Sequence, residues 1–121
     1  MAEKNDRHLS RQGMTDSAAT ESAVRTAVAW IVEEVHPLRI ILFGSTARGE
    51  QGGQSDVDLL VVMPEGTHKR RTAQRLYRTL RGLHVPVDLL VTTEKDLDRH
   101  KDDPGLIYRA ILQEGRQLYA A

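Results

Sequence analysis

The chain has 121 residues, with 17 Lys and Arg balanced by 17 Asp and Glu, so its formal net charge is zero. This length suits a single domain and leaves no room for a second domain that would bind a separate substrate. Balanced charge provides no net positive field for sequence-independent contacts with phosphates, which disfavours bulk nucleic-acid binding.

The first fifteen residues are polar and charged, with almost no bulky apolar side chain. Such a segment cannot bury enough surface to offset its ordering entropy, so we predict a disordered tail at 1–15 and one domain at 16–121. No apolar run has the length of a signal-peptide core or a membrane span, which indicates no membrane association. The sequence has no cysteine, which excludes disulfides and agrees with a cytoplasmic location.

A helix is predicted from Asp16 or Ser17 to the pair His36-Pro37. Its apolar residues are spaced to form one buried stripe, which comprises Val24, Ala27, Val28, Ile31 and Val35. Trp30 lies at the edge of this stripe, where packing is a simpler role than stacking on a nucleobase. We therefore expect the apolar stripe of this helix to pack in the hydrophobic core.

The next stretch reads as a short strand followed by a ligand-binding turn. Residues Arg39–Phe43 are apolar and β-branched, and the run stops at Gly44, where no Cβ hinders a close approach of the backbone to a ligand. Ser45 adds a hydroxyl, and residues 46–49 are predicted to form a short helix whose first N–H groups suit an anion. Arg48 has two interpretations, a cation that faces phosphate or a salt bridge that fixes the loop.

Two carboxylates, Asp56 and Asp58, stand at the start of the next predicted strand, Val57–Val62. Side chains alternate between the faces of a strand, so both carboxylates point to the same side. Adjacent carboxylates repel each other unless a cation lies between them, and Mg²⁺ or Mn²⁺ prefers oxygen ligands. The strand is otherwise apolar at both parities, which indicates cover on both faces, where an unpaired carboxylate is costly. The pair therefore indicates a divalent metal site.

The following helix is predicted from Thr67 to Leu83, with one apolar face and one basic face. The basic residues are Lys69, Arg70, Arg71, Arg75, Arg78 and Arg81. A solvated helix surface explains them more simply than a patch for nucleic acid or for an acidic partner.

A third strand is predicted over residues 85–91, and it contains Asp88 although Asp is depleted from strands. After it we predict a short helix at Glu94–His100 that begins with a Thr cap, a helix from Pro104 to Gly115, and a last strand at 116–119. The apolar face of the second helix comprises Leu106, Ile107, Ala110 and Ile111. This order indicates an α/β or α+β domain, with a small sheet covered by helices on one side and a site on the other.

The spacing of these residues resembles a known signature. Gly44-Ser45, ten further residues and then Asp56-Val57-Asp58, with Asp88 on a later strand, resembles the pattern of nucleotidyltransferases of the polymerase-β type. The similarity extends over about residues 24–119 and is strongest to the minimal nucleotidyltransferase (MNT) domains.

The resemblance implies a mixed sheet of the nucleotidyltransferase fold, with ATP as substrate and two Mg²⁺ or Mn²⁺ ions. It implies that Asp56 and Asp58 hold both ions, and that Asp88 completes the second metal site and helps to take the acceptor proton. Gly44 and Ser45 would hold the β and γ phosphates. Arg48, next to them, is a further candidate for nucleotide binding.

The resemblance also suggests a biological role, since MNT domains are often the antitoxin partners of helical HEPN ribonuclease toxins. Some are taken to transfer AMP to a hydroxyl of the toxin, which would suit a domain without its own acceptor module. One alternative is a binding module that keeps the fold and neutralises its partner by docking. A weaker alternative is a small-molecule nucleotidyltransferase, but similar enzymes carry an additional domain for the small molecule.

Overall fold

The computed structural model describes residues 20–47 and 57–121, and the predicted tail lies outside these residues. The described elements, in order, are helix α1 (20–35), strand β1 (Arg39–Phe43), helix α2 (Gly44–Ala47), β2 (Val57–Met63), α3 (Lys69–Thr79) with a 3-10 turn (Leu80–Gly82), β3 (Val87–Thr93), α4 (Glu94–His100), α5 (Ile107–Glu114) and β4 (Arg116–Ala120). None of the helices in these two stretches is long and apolar enough to cross a membrane.

The four strands form one mixed sheet in the order β3-β2-β1-β4. Strand β1 pairs antiparallel with both β2 and β4, whereas β2 and β3 run parallel. The parallel pair is connected through α3, as parallel strands require a crossover. The predicted mixed sheet and the α+β class are confirmed.

One face of the sheet, the packed face, is covered by α1 and α3. Its buried side chains are Ile40, Leu42, Val57, Leu59, Val61, Met63 and Val91. The helices contribute Val24, Ala27 and Ile31 from α1 and Leu76 and Leu80 from α3 and its 3-10 turn. The predicted stripe of α1 is therefore confirmed as core, and Trp30 packs against the same cluster.

The opposite face, the open face, carries Ile41, Phe43, Asp58, Leu60, Val62 and Asp88. Its apolar part forms a second cluster with Leu97 of α4 and Ile111 of α5. Helices therefore cover part of both sides of the sheet, and the prediction of cover on one side was wrong in this respect. The reason lies in β2, which is apolar at both parities and must bury Leu60 and Val62 as well as Leu59 and Val61.

The third strand lies two residues later than predicted, at Val87–Thr93. Parallel pairing with β2 determines its register, from Val57 opposite Val87 to Met63 opposite Thr93. Pro86 precedes the strand, and its carbonyl accepts a hydrogen bond of 3.0 Å from the Val57 N–H. Thr93 ends the strand and also caps α4, because its hydroxyl accepts a 3.2 Å hydrogen bond from the Asp96 N–H.

Helix α5 differs more strongly from its prediction, since it begins at Ile107 and not at Pro104. The preceding residues form a turn in which the Asp103 carboxylate accepts a 3.0 Å hydrogen bond from the Gly105 N–H. Of the apolar face predicted for this helix, only Ile111 is buried, while Leu106 and Ile107 are 40% and 51% exposed. In the first turn of this helix, Ile107 and Ala110 are exposed, whereas Tyr108 is partly buried against the second cluster.

Helix α3 keeps the basic face that the sequence predicted. Lys69 and Arg75 form ion pairs with Asp96 and Glu34, which join α3 to α4 and to α1. The other four basic residues are exposed and form no ion pair within the described part of the chain: Arg70, Arg71, Arg78 and Arg81. These observations agree with a solvated helix surface.

Candidate functional site

The register of the sheet brings two of the predicted carboxylates together. Asp58 of β2 is paired with Asp88 of β3, and on its other side Asp58 is paired with Phe43 of β1. Neighbouring strands are about 4.8 Å apart, and paired residues project from the same face. Asp58 is partly buried and Asp88 is exposed. The two carboxylates therefore lie side by side at the end of the open face that helices α4 and α5 leave uncovered, called here the uncovered end.

Gly44 stands directly beside Asp58, where β1 ends and α2 begins. Its φ of +77° lies in the left-handed region that favours glycine. A Cβ at this position would overlap Oδ2 of Asp58 and come within 3.2 Å of its Cγ. Glycine therefore provides the turn and leaves the space that the carboxylate occupies.

The structure brings Gly44, Asp58 and Asp88 into one place, with Ser45 next to Gly44 in α2. Arg48 and Asp56 lie outside the described residues. Within residues 20–47 and 57–121, no group of three or more His, Cys, Asp or Glu is arranged to hold a metal ion. The donor chemistry of Asp58 and Asp88 nevertheless fits a divalent cation, because carboxylate oxygens are its preferred ligands and Gly44 leaves the Asp58 carboxylate its space.

A cavity that the sequence did not predict adjoins this place. It has a volume of about 240 Å³ and is lined by Phe43, Gly44, Ile107, Ala110, Ile111 and Glu114. The sequence could not reveal this cavity, because the apolar residues of α5 have the spacing of a face that packs on the core. Phe43, the one phenylalanine of the chain, precedes Gly44 and was interpreted as the end of a buried strand.

A second cavity, of about 360 Å³, lies between α1 and the segment that precedes β3. Trp30, Leu83 and Val85 line it and also pack against the core of the packed face. None of its described lining residues belongs to the face that carries Asp58 and Asp88, and we assign no function to it.

The family model of the nucleotidyltransferase domain matches residues 22–117. No curated protein matches the chain significantly. A solved structure from Sulfolobus solfataricus that carries a nucleotidyltransferase assignment is 20% identical, with a TM-score of 0.63 over 89% of this chain and 86% of that one. A toxin–antitoxin structure with AMP-PNP is 23% identical, with a TM-score of 0.50 over 79% and 73% of the two chains.

At these identities, the two solved structures show a shared fold. The family match covers most of the chain, and it includes both carboxylates of the parallel strand pair and the glycine beside them. The chain belongs to the nucleotidyltransferase domain family.

Proposed function

We propose that the protein transfers AMP from ATP to a hydroxyl of a partner protein. The observation that carries this proposal is the side-by-side placement of Asp58 and Asp88 at the uncovered end of the sheet, next to Gly44. Nucleotidyltransferase domains use a nucleoside triphosphate and a divalent metal. Two carboxylates can bind the metal, and a glycine beside them lets the backbone come close to the triphosphate.

Asp58 and Asp88, together with Asp56, would hold two Mg²⁺ or Mn²⁺ ions. When bound, such ions neutralise charge on the triphosphate oxygens and lower the pKa of the attacking hydroxyl. Gly44 and Ser45 would hold the β and γ phosphates, with backbone N–H groups and the serine hydroxyl as donors. Arg48 would add a positive charge to the same phosphates.

In the transfer step, the acceptor oxygen forms a bond to the α-phosphorus, and the bond from that phosphorus to the α–β bridging oxygen breaks. Pyrophosphate leaves with the electron pair of the broken bond. The acceptor proton passes to the carboxylate of Asp88, which is exposed and therefore accessible to an incoming group. Positioning and charge neutralisation supply most of the rate acceleration in reactions of this type.

The acceptor would come from outside the chain, and the similarity to a toxin–antitoxin structure with AMP-PNP supports an antitoxin role. AMP-PNP is an analogue of ATP, which supports an adenine nucleotide as donor. We propose that the partner is a HEPN-type toxin and that the pair acts in the cytoplasm. The partner would place a hydroxyl beside Asp88.

The test is the mass of the partner protein after incubation with the wild-type chain, ATP and Mg²⁺. We expect an added adenylyl group, and we expect its loss with Asp58→Ala or Asp88→Ala, while both variants still bind the partner. Asp96→Ala removes a partly buried carboxylate on α4, whose partner is Lys69, and serves as a control that retains transfer. If the mass of the partner stays unchanged with the wild type, and both site variants still neutralise the toxicity of the partner, the chain is a binding module without catalysis.

A further inference from the structure

We propose that the acceptor segment of the partner protein docks as an added strand on the outer edge of β3, with its hydroxyl-bearing residue opposite Asp88. This inference rests on the proposed function, because it takes Gly44 as the phosphate site and Asp88 as the group that receives the acceptor proton. The transfer step is the one given above, with pyrophosphate as the leaving group. The substrate is then an extended, acidic segment of the partner, and β3 is the surface that binds it.

The direction of the transfer reaction is the first argument. Gly44 follows β1, Asp58 lies on β2 and Asp88 lies on β3, which are three neighbouring strands of the sheet. With the β and γ phosphates at Gly44, the leaving pyrophosphate lies on the β1 side of the carboxylates. The attacking oxygen stands in line with the leaving group, on the opposite side of the α-phosphorus. The acceptor therefore enters from the outer side of β3.

The backbone of β3 is the second argument, because β3 is the last strand on that side of the sheet that the described residues form. The Val57 N–H of β2 donates to the Pro86 carbonyl, and the backbone groups of successive residues alternate between the two sides of a strand. The even-numbered residues from Pro86 onward therefore bond to β2, whereas the N–H and C=O groups of Val87 and Leu89 point outward. Such an edge is a template for an added strand.

Tyr77 of α3 shows that this edge takes an oxygen acceptor. Its hydroxyl accepts a 2.9 Å hydrogen bond from the Leu89 N–H, at the place where a neighbouring strand would present a carbonyl oxygen. Tyr77 is 43% exposed, so its hydroxyl can turn to solvent when a carbonyl of the added strand replaces it. The hydroxyl therefore competes with the added strand for one backbone donor.

The alternation of side chains gives the position of the acceptor residue. Paired residues of neighbouring strands project from the same face, so a hydroxyl-bearing residue paired with Asp88 points to the open face beside that carboxylate. The residues before and after it point to the side of α3. There, Arg81 lies one helical turn beyond Tyr77, is exposed, and has no ion-pair partner among the residues that the structure describes. An acidic side chain next to the acceptor residue would complement this positive charge.

Hydrogen exchange of the backbone amides tests the added strand directly. The probe is the HEPN-type partner protein at saturating concentration, with Mg²⁺ and α,β-methylene-ATP, whose α–β bridge does not break. We expect the Val87 and Leu89 amides to exchange about tenfold more slowly in the complex, or slower still, while the amides of β4, the other edge strand, keep their rates. A complex that leaves the exchange of Val87 and Leu89 unchanged would overturn the inference.

A second arm compares Tyr77→Phe with Tyr119→Phe, a matched control that loses a hydroxyl on β4. Tyr77→Phe removes the competing hydroxyl from the Leu89 N–H, and we expect the KM for the partner protein to fall about two- to tenfold. The affinity for ATP should stay the same, and Tyr119→Phe should keep the KM of the wild type. If Tyr77→Phe loses stability while its KM is unchanged or raised, the hydroxyl serves only to cover the edge, and the inference is wrong.

A third arm reverses the charge beside the edge. Arg81→Glu should raise the KM for the partner about two- to tenfold, whereas Arg71→Glu makes the same change at an exposed position at the other end of α3 and should leave it unchanged. An equal KM for the two variants would contradict the acidic character of the segment. If the wild type binds ATP but neither binds nor modifies the partner, the proposed function fails and this inference falls with it. A partner that is modified without any of these changes at β3 refutes the inference alone.

Discussion

The two faces of the sheet differ in how completely helices cover them. On the packed face, α1 and α3 bury every second side chain along the whole of β2: Val57, Leu59, Val61 and Met63. On the open face, α4 and α5 bury Leu60 and Val62 but leave Asp58 partly buried and Asp88 exposed. The same strand thus supplies the core on one side and the candidate chemistry on the other, where the helical cover ends.

This difference explains why the candidate site lies at one end of the sheet. Helix α4 follows β3 directly and packs at the end of the sheet where that strand finishes. The carboxylates stand at the beginning of β2 and β3, at the opposite end. A nucleotide needs open space as well as ligands. Among residues 20–47 and 57–121, this end of the open face provides carboxylates that α4 and α5 do not bury.

The largest expected effect concerns Asp58, on the open side of β2. Asp58→Asn keeps the size of the side chain but removes its charge, so we expect nucleotidyl transfer to fall on the order of a hundred- to a thousandfold. We expect the free energy of unfolding to change less than for a core residue of the same strand. Rates of label transfer and urea unfolding curves on the same samples measure both. If Asp58→Asn retained the rate of nucleotidyl transfer, Asp58 would not be part of the catalytic site.

The next residue, Leu59, points to the packed face and is fully buried. Leu59→Ala leaves a cavity in the core, and we expect a loss of about 2–5 kcal/mol in the free energy of unfolding. Ile107→Ala on α5 is the comparison, because this side chain is half exposed and its removal should cost far less. Equal losses at the two positions would contradict the contrast between the faces.

Gly44 and Gly66 separate backbone strain from an effect on the site, since both have positive φ, +77° and +93°. Alanine at Gly66 should lower the free energy of unfolding by about 1–2 kcal/mol, the cost of a left-handed backbone for a residue with a Cβ. Alanine at Gly44 should cost at least as much, because its Cβ also displaces the Asp58 carboxylate. A Cβ at Gly66 meets open space, whereas one at Gly44 meets the Asp58 carboxylate. Only Gly44→Ala should also lose transfer activity, and equal activity of the two variants would show that this space has no catalytic importance.

The smallest expected effect concerns the ion pair between Lys69 and Asp96, whose Nζ and Oδ2 are 2.6 Å apart. This hydrogen bond lowers the pKa of Asp96 below its ordinary value of 3.8 and raises the pKa of Lys69 above 10.5. The stabilisation is therefore fully present between these two values, and it is lost as the pH falls through the folded pKa of Asp96 or rises through that of Lys69.

The side chains of Lys69 and Asp96 are 47% and 30% exposed. Solvent therefore screens the pair, and its contribution to stability is small. Melting temperatures of the wild type and Asp96→Asn, measured across pH, should differ by a small constant amount near neutrality. The difference should shrink below pH 3.8 and above pH 10.5. A difference that disappears near pH 7 would contradict this assignment.

Much of the fold could be predicted from the sequence, because its signals are local. The strand Arg39–Phe43 and the helix Glu94–His100 have the predicted bounds. The buried stripe of α1 also follows from residue spacing alone. Of the candidate site, the sequence identified Gly44, Asp58 and Asp88 as unusual at their positions, and the structure places them together.

The sequence-based predictions that were wrong concern features that depend on contacts between distant segments. The bounds of β3 follow from its register with β2, which no local pattern contains. Ile107 and Ala110 belong to an apolar pattern that predicted core, but they are exposed and line a cavity with Phe43 and Gly44. Their surroundings depend on how α5 packs against β1, which no local pattern contains. Glu114 had no sequence signal, because its position beside Phe43 and Gly44 arises only when α5 packs on β1.

The most direct test of the central claim, that the uncovered end of the open face binds a metal-bound triphosphate, is calorimetry of ATP binding with and without Mg²⁺. For the wild type we predict weak ATP binding without metal and tighter binding with it, because triphosphate and carboxylates together complete the oxygen ligands. For the double variant Asp58→Asn, Asp88→Asn we predict no gain from Mg²⁺. The same ATP affinity of the wild type with and without Mg²⁺, or a full gain in the double variant, would contradict the claim.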